Sequence, residues 1–317
     1  MNRDISYTTE EISKLLKISK LTVYDLIKKG ELTAYRVGKQ MRIDASDLEA
    51  YIQRSKMSSV VEPQTEHALP PQMATSPYPV YSPRPVVITG QDISLDILAN
   101  VMAAHISGTR PLRAQIGSMD SLIALYKGES DIVSTHLLDG DSGEYNIPYI
   151  KRLLVGTSYI VVNLLSRNAG LYVQTGNPHN VQNWSDLSKA GIRIVNREKG
   201  SGARVLLDEQ LRLNGIHAGQ VLGYDQVVTN HLAVAAKVSS GEADVGVGNE
   251  KAASIVGNVV FIPLIKERYD LVIKKGPENH FLIEQVLKIL SSEAFQNELK
   301  MLQGYDLSQT GKILLET

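Results

Sequence analysis

Asn196-Arg197-Glu198-Lys199-Gly200-Ser201-Gly202-Ala203-Arg204 is the stretch that decides the fold. Before it, Arg193-Ile194-Val195 reads as a buried strand end. After it, Arg204-Val205-Leu206-Leu207-Asp208-Glu209-Gln210-Leu211-Arg212-Leu213 carries helical apolar spacing. The stretch is thus a strand-to-helix turn, the joint of an α/β fold. Ser201 is a good N-cap, and Gly200 and Gly202 let backbone come close to a neighbour. The unpaired N–H groups of a helix start make such a turn a ready anion site. With Ser201 as cap, Arg204 falls in the first helical turn, where a cation opposes the helix dipole at a cost of about 0.3–1 kcal/mol. A bound oxyanion would reverse that sign, and an arginine grips oxyanions bidentately. The plainer reading is a glycine-rich turn whose arginine meets solvent or an aspartate.

The rest of the chain sets limits. At 317 residues it suggests two domains. Hydrophobic residues make up 43% and charged residues 21%, ordinary for a soluble globular protein. A net charge of −1 gives no overall pull toward nucleic acid or membrane, so local charge must carry any such role. There is no cysteine, which excludes disulfides and thiolate metal sites and points to the cytoplasm. The first residues lack a signal-peptide core, and no run of about 18 apolar residues exists, so no membrane association is expected.

Residues 1–56 read as a small DNA-binding module. Thr8-Thr9-Glu10-Glu11 opens a helix whose apolar face is Ile12, Leu15 and Leu16. Ile18-Ser19 makes a turn, and Ser19 caps a second helix from Lys20 to Lys29 that Gly30 stops. Two short helices across a tight turn fit a helix-turn-helix. In Tyr35-Arg36-Val37-Gly38-Lys39-Gln40-Met41-Arg42-Ile43, Gly38-Lys39 can close a hairpin. Tyr35, Val37, Met41 and Ile43 would take the buried face and Arg36 and Arg42 the other, a basic wing. Asp44 then caps a third helix through Tyr51-Ile52. These 56 residues hold 11 Lys and Arg against 8 Asp and Glu, a local charge of +3 that suits phosphate contact.

That order of elements resembles the excisionase and mercury-resistance-regulator type of helix-turn-helix. The resemblance implies that the second helix enters the major groove of double-stranded operator DNA, with Lys20, Leu21, Thr22 and Tyr24 at the bases. Lys28, Arg36, Lys39 and Arg42 would meet phosphates or a groove edge. A solvated charged face is the alternative reading for these residues. Residues 57–85 follow as a linker, since seven of the chain's 12 prolines lie between Pro63 and Pro85 among Ser, Thr and Gln.

From residue 86 on, strand and helix signals alternate. Val86–Thr89, Ala114–Ile116 and Ile132–Ser134 read as strands, with helices between Leu95 and Met102 and between Met119 and Lys127. A long β-rich stretch, Tyr159–Leu165, precedes a second set: a Trp184–Lys189 helix, the Arg193–Asn196 strand, the helix after Ser201, one around Leu232–Val238, and Asp244–Gly248 as a strand. Val259–Ile262 returns the chain, and two amphipathic helices end it. Ligand loops are expected at strand ends.

This module resembles type-2 periplasmic binding proteins, in the regulator-fused branch near the molybdate- and tungstate-binding proteins. The residues that carry the likeness are Gly117–Leu122, Gly128–Ile132 with Thr135–Leu138, Gly176-Asn177-Pro178, Asn196–Arg204, Gly241–Gly246 and Glu267–Leu271. The resemblance implies two lobes, about 86–165 with 259–317 and about 166–258, joined by two crossing strands, with a small anionic ligand in the cleft and no catalysis. By position, Ser118, Arg197, Ser201, Gly202, Ala203, Arg204, Gly248 and Asn249 would face that ligand. Relatives often have Thr where this chain has Ala203, so one hydroxyl donor is missing. Ser118 as a plain N-cap and Gly248 as a turn glycine are the alternatives. Asp92 reads as a cap and Tyr269 as a packing residue. His136 reads as structural, with no second ligand at a metal spacing.

Three functions compete. The first is a one-component transcription regulator, a homodimer on DNA, with molybdate or tungstate as effector and no other cofactor. The second keeps the regulator and takes an organic acid or a phosphorylated metabolite. The third is an enzyme with Ser201 as nucleophile. The nucleophile elbow is Gly-x-Ser-x-Gly, however, and here Gly200 directly precedes Ser201.

Overall fold

The computed structural model describes residues 6–16, 18–29, 32–38, 40–57 and 84–317, apart from the side chains of 53–57 and 84. Gly30, Lys39 and the body of the expected linker, 58–83, lie outside the described residues. The chain divides into two units, Met1–Tyr78 and Pro79–Thr317.

In the first unit, β1 (Ser6–Thr8) leads into α1 (Thr9–Leu16). Thr8 and Glu11 cap that helix reciprocally: Thr8 N donates to the Glu11 carboxylate at 2.8 Å and Glu11 N to Thr8 Oγ1 at 3.3 Å. Ser19 Oγ accepts from Thr22 N at 3.1 Å and so starts α2 (Lys20–Lys28). β2 (Tyr35–Val37) and β3 (Gln40–Asp44) form a hairpin, with Val37 opposite Gln40 and Gly38 at φ +61° in the turn. α3 (Ala45–Met57) follows. Ile12, Val23, Leu32, Ile43 and Leu48 make the core. The structure corrects the sequence reading three times. Leu15, expected on the apolar face of the first helix, is 57% exposed, because that face meets only the small core around Ile12. Ser6–Thr8 is a strand paired to β3, giving the order β1-β3-β2. Tyr35 (43%) and Val37 (56%) are exposed, not buried. β2 is the outer strand of a three-stranded sheet, and the five-residue core is too small to cover it.

The second unit is one mixed sheet with helices on both faces. β4 (Arg84–Thr89), α4 (Ser94–His105), β5 (Thr109–Ala114), α5 (Ser118–Lys127) and β6 (Ile132–Thr135) begin it, with β4 parallel to both β5 and β6. α6 (Ile147–Leu153) leads to β7 (Tyr159–Gln174). β8 (Ile194–Arg197), α7 (Gly202–Leu213), β9 (Val227–Val228), α8 (His231–Ser239), β10 (Val245–Asn249) and α9 (Glu250–Ile255) form a second set. There β8 runs parallel to β10 and β9. β11 (Val259–Lys274) then returns antiparallel along β7 for almost its whole length. α10 (His280–Ser291), α11 (Glu293–Lys300), β12 (Tyr305–Asp306) and β13 (Ile313–Glu316) close the chain, the two strands against β7.

The order β5-β4-β6-β11-β7-β10-β8-β9 places one α/β set at each end of the sheet. These are two lobes, joined through β7 and β11. One half of β7, Tyr159–Leu165, lies in the first lobe between β11 and β13. The other, Ala169–Val173, pairs with β10 in the second. Each lobe has apolar clusters on both sheet faces, around Ile88, Leu98 and Leu271 and around Leu122 and Val161 in the first. In the second they lie around Leu206 and Val247 and around Val234 and Tyr172. That two-sided cover explains the unbroken apolar runs of β7 and β6.

Three places differ from the sequence reading. The sequence reads as ending on two helices, but β12 and β13 follow them and count as strands through their pairing with β7. The second strand is Thr109–Ala114, and Gln115-Ile116 is loop. β5 lies at the sheet edge, where Pro111 is tolerated and apolar residues alternate instead of clustering. The Trp184–Lys189 helix is a 3₁₀ turn, Trp184–Ser188, held by an Asn183–Asp186 capping box.

Candidate functional site

A cavity of about 640 Å³ lies between the lobes. Gln91, Asp92 and Ile93 enter it from the loop after β4, and Gln115, Ile116, Gly117 and Asp120 from the loop after β5. The second lobe supplies Glu198, Thr229–Leu232, Asn249, Lys251, Ala252 and Ile255, and Tyr305 comes from β12. The walls are therefore built from strand ends and the helices that follow them, where open α/β sheets take ligands.

Beneath it lies a buried charge network. Arg167 of β7 pairs with both Asp92 and Glu267 of β11. Glu267 also meets His136 Nδ1 at 3.0 Å, and Tyr305 Oη donates to Asp92 at 2.7 Å. Asp92 Oδ1 accepts from Ser94 N at 2.8 Å, so it both caps and pairs. Burial disfavours the ionised carboxyls, but Arg167 outweighs it and holds Asp92 and Glu267 below their ordinary range. Tyr269 is buried, accepting a hydrogen bond from Ser134 Oγ at 2.8 Å.

Gln91 ties the lobes together. Its amide oxygen accepts from Arg197 at 2.6 Å, and its nitrogen donates to Glu198 at 3.3 Å and Thr229 O at 3.4 Å. Nearby, Met119 N donates to Gly200 O at 2.9 Å, and a Cβ on Gly117 would meet that oxygen at 3.1 Å. The two glycine turns of the two lobes thus touch directly.

Asn249 lies on the cavity wall. Its Oδ1 caps α9, accepting from Ala252 N at 3.0 Å. Ser118 Oγ accepts from His136 N at 3.3 Å, and Gly117, one residue earlier, lines the cavity. Arg197 is 1% exposed and paired with Glu198, so it backs the wall instead of forming it. Ser201 Oγ donates to Glu198 O at 2.9 Å and accepts from Arg204 N at 3.3 Å, the bonds of a helix cap. Gly202 lies under the His136 ring, which occupies the space a Cβ would need, and Ala203 is buried in the second-lobe core. Arg204 is 3% exposed; it donates to Asp208 at 3.0 Å and stacks on Tyr224 at 4.2 Å. Gly248 makes room for Tyr172, whose hydroxyl donates to Asn249 O at 2.6 Å.

Sequence reasoning missed Gln91, Gln115, His231, Lys251 and Tyr305 as cavity residues. The strand-end rule that singled out Gly248 and Asn249 reaches Lys251 two residues on. Arg167 also had a signal, as a lone charge in a long apolar strand. Among the described residues, none group as a metal site, and no helix is long and apolar enough to cross a membrane.

On the first unit, Lys20, Leu21 (78%), Thr22, Tyr24 and Lys28 are all exposed along α2, opposite buried Val23. Lys20 lies 3.8 Å from Glu10, and Tyr24 Oη accepts from Thr9 Oγ1 at 3.5 Å. Arg36 is exposed on β2, and half-buried Arg42 reaches Ser6 O at 3.5 Å. The exposed face of α2 is thus apolar and cationic together.

Fold and site define a two-lobed ligand-binding protein carrying an N-terminal helix-turn-helix domain. A family model described as a PBP superfamily domain matches residues 99–291, and one described as a helix-turn-helix domain matches residues 6–56. The chain belongs to the PBP superfamily, with a helix-turn-helix at its N-terminus. It is similar along its whole length to the uncharacterized protein YvgK of Bacillus subtilis (strain 168), 51% identical over 317 residues and covering 100% of each chain. Among solved structures it resembles a Clostridium perfringens protein with bound phosphate (16% identity, TM-score 0.52, 70% of this chain and 99% of that one). It also resembles a peroxide-bound cysteine-to-serine mutant of Corynebacterium glutamicum OxyR (11%, TM-score 0.52, 93% and 90%). Likeness at these identities concerns the fold.

Proposed function

We propose that this chain is a one-component, non-enzymatic transcription regulator. It acts in the cytoplasm, binds double-stranded operator DNA as a homodimer and is controlled by a small anionic ligand. The observation that carries this reading is the joining, in one chain, of a helix-turn-helix unit and a two-lobed unit with a cavity between its lobes. On the DNA side, Lys20, Leu21, Thr22 and Tyr24 read bases, while Lys28, Arg36, Lys39 and Arg42 meet phosphate. The wing belongs to the excisionase and mercury-resistance-regulator type.

The resemblance read in the sequence favours molybdate or tungstate as the ligand, and of the residues it assigns to that ligand Asn249 lines the cavity. A second reading, an organic acid or a phosphorylated metabolite, has specific support. Glu198 and Asp208 already neutralise Arg197 and Arg204, and about 640 Å³ is the size of an organic-ligand site. The test is a thermal-shift panel on the full chain with molybdate, tungstate, sulfate, phosphate and carboxylates, followed by DNA-binding titrations with any hit. A ligand at about 100 times its dissociation constant adds about 2.7 kcal/mol to the native state, an easily seen shift. A hit that changes DNA affinity supports the regulator. A chain that binds no DNA in any condition overturns it.

A further inference from the structure

Among the described residues, Lys251 is the cation on the cavity wall without a hydrogen-bond partner. It lines the wall at the start of α9, and its ammonium makes no hydrogen bond although it is shut away from solvent. The centroid of the Tyr305 ring lies 5.0 Å from the Lys251 Nζ. His231 lines the same cavity with Nδ1 likewise buried and unpartnered. Burial, reinforced by Arg197 and Arg167, pushes that imidazole well below its ordinary range, so it is neutral and offers no charge. Asn230 and Asn249 each commit their side-chain oxygen to a helix start, Ala233 N at 2.8 Å and Ala252 N at 3.0 Å. What they have left is amide N–H. This side of the cavity is therefore rich in donors, and a buried ammonium without a partner is costly.

Charge limits what can come to it. Among the described residues, the carboxylates on the wall are Asp92, Asp120 and Glu198 against the single cation Lys251. Arg197 behind the wall cancels Glu198, while Arg167 is shared between Asp92 and buried Glu267 and leaves one negative charge in excess there. Exposed Asp120 remains and opposes a multiply charged anion. The other walls are Ile93, Ile116, Leu232 and Ile255, which suit an apolar body.

Resting on the cleft-ligand reading above, we infer that the ligand is an organic monocarboxylate, its carboxylate seated on Lys251 with His231 and Asn249 as neutral partners and its apolar body against the isoleucines. Isothermal titration of the full chain tests it. The probes are butanoate, hexanoate, benzoate and phenylacetate, each beside its primary amide, with molybdate, tungstate and phosphate. At least one carboxylate binds, its amide binds about tenfold more weakly or worse, and Lys251→Gln removes that difference while Lys251→Arg keeps part of it. Should Lys251→Gln fail to fold, the Lys251→Arg and amide comparisons decide alone. Unchanged carboxylate affinity in Lys251→Gln overturns the assignment. So does binding of molybdate, tungstate or phosphate with none of the carboxylates, a result that keeps the cleft-regulator reading. Silence of every probe also overturns it, while the DNA-binding titrations judge the regulator separately.

Discussion

Arg167 is the residue on which the joint between the lobes depends. Its guanidinium is buried with two carboxylates, and each member of such a cluster is tolerable only while the others stay. Glu267→Gln leaves Arg167 paired with Asp92 and should therefore destabilise the second unit by about 1.5–3 kcal/mol, the loss of a charged hydrogen bond, in urea unfolding. The pH dependence follows from the same network. Folding lowers the Asp92 and Glu267 carboxyls below their ordinary 3.8 and 4.5, so their stabilisation is complete above those values. It is lost as pH falls through the lower folded values. The urea midpoint of the native protein should drop steeply below about pH 4, and that of Glu267→Gln less steeply. Gly202→Ala tests the turn that opened the reading. The new methyl would enter the His136 ring, at a cost of about 1–3 kcal/mol, despite alanine's better helix propensity. A variant as stable as the parent would show that His136 moves aside freely. At this scale the sequence was legible in part. Ser201 as N-cap is local chemistry and was readable. That Arg204 meets Asp208 four residues on is equally local, an i,i+4 pair on α7 that the plainer reading allowed, whereas Arg167 finds Glu267 a hundred residues away only through the folding of β11 against β7.

Elements were legible where their own pattern was strong. The helices α1, α2, α5 and α7 declare themselves through caps and spacing. The edges did not. β2 and β5 each lie at a sheet margin, where one neighbour is missing and the burial that would mark a strand is weak. β1 is three residues long, and only β3 makes it a strand. On the proposed DNA side, α2 and the hairpin carry separate expectations. Arg36→Ala should weaken binding alike on specific and random duplexes. It should also lower the slope of log affinity against log salt by about 1, because one phosphate contact releases one set of counterions. Leu21→Ala should instead change preference among sequences with little effect on that slope. Salt-series titrations of both variants separate the roles. Equal slopes for Arg36→Ala and the parent would falsify the phosphate contact.

At the scale of the whole molecule, the sequence held the two halves and the resemblance supplied the way they combine. Alternating strand and helix signals cannot say that β7 and β11 cross side by side and join both lobes into one sheet. That pairing is nonlocal, and only a family likeness anticipated it. Closure rests on contacts of the same nonlocal kind. Gln91 spans the cleft to Arg197, Glu198 and Thr229, and Met119 N reaches Gly200 O beside it. Gln91→Ala should speed hydrogen exchange at the Met119 amide while leaving core amides such as Leu271 unchanged. Uniform acceleration would mean global weakening instead. The regulator proposal adds a stricter requirement. If a cleft ligand changes the affinity for a duplex selected from a random pool by some factor, that duplex must change the ligand's affinity by the same factor, since both report one coupling free energy. Allosteric couplings commonly amount to about 1–3 kcal/mol, about 5- to 150-fold, well within titration. The two titrations on the full chain should therefore give equal factors, and Lys251→Gln should weaken ligand binding while leaving ligand-free DNA affinity intact. Unequal factors would mean that ligand and DNA meet the chain in different assemblies, and the homodimer would be the first part of the proposal to go.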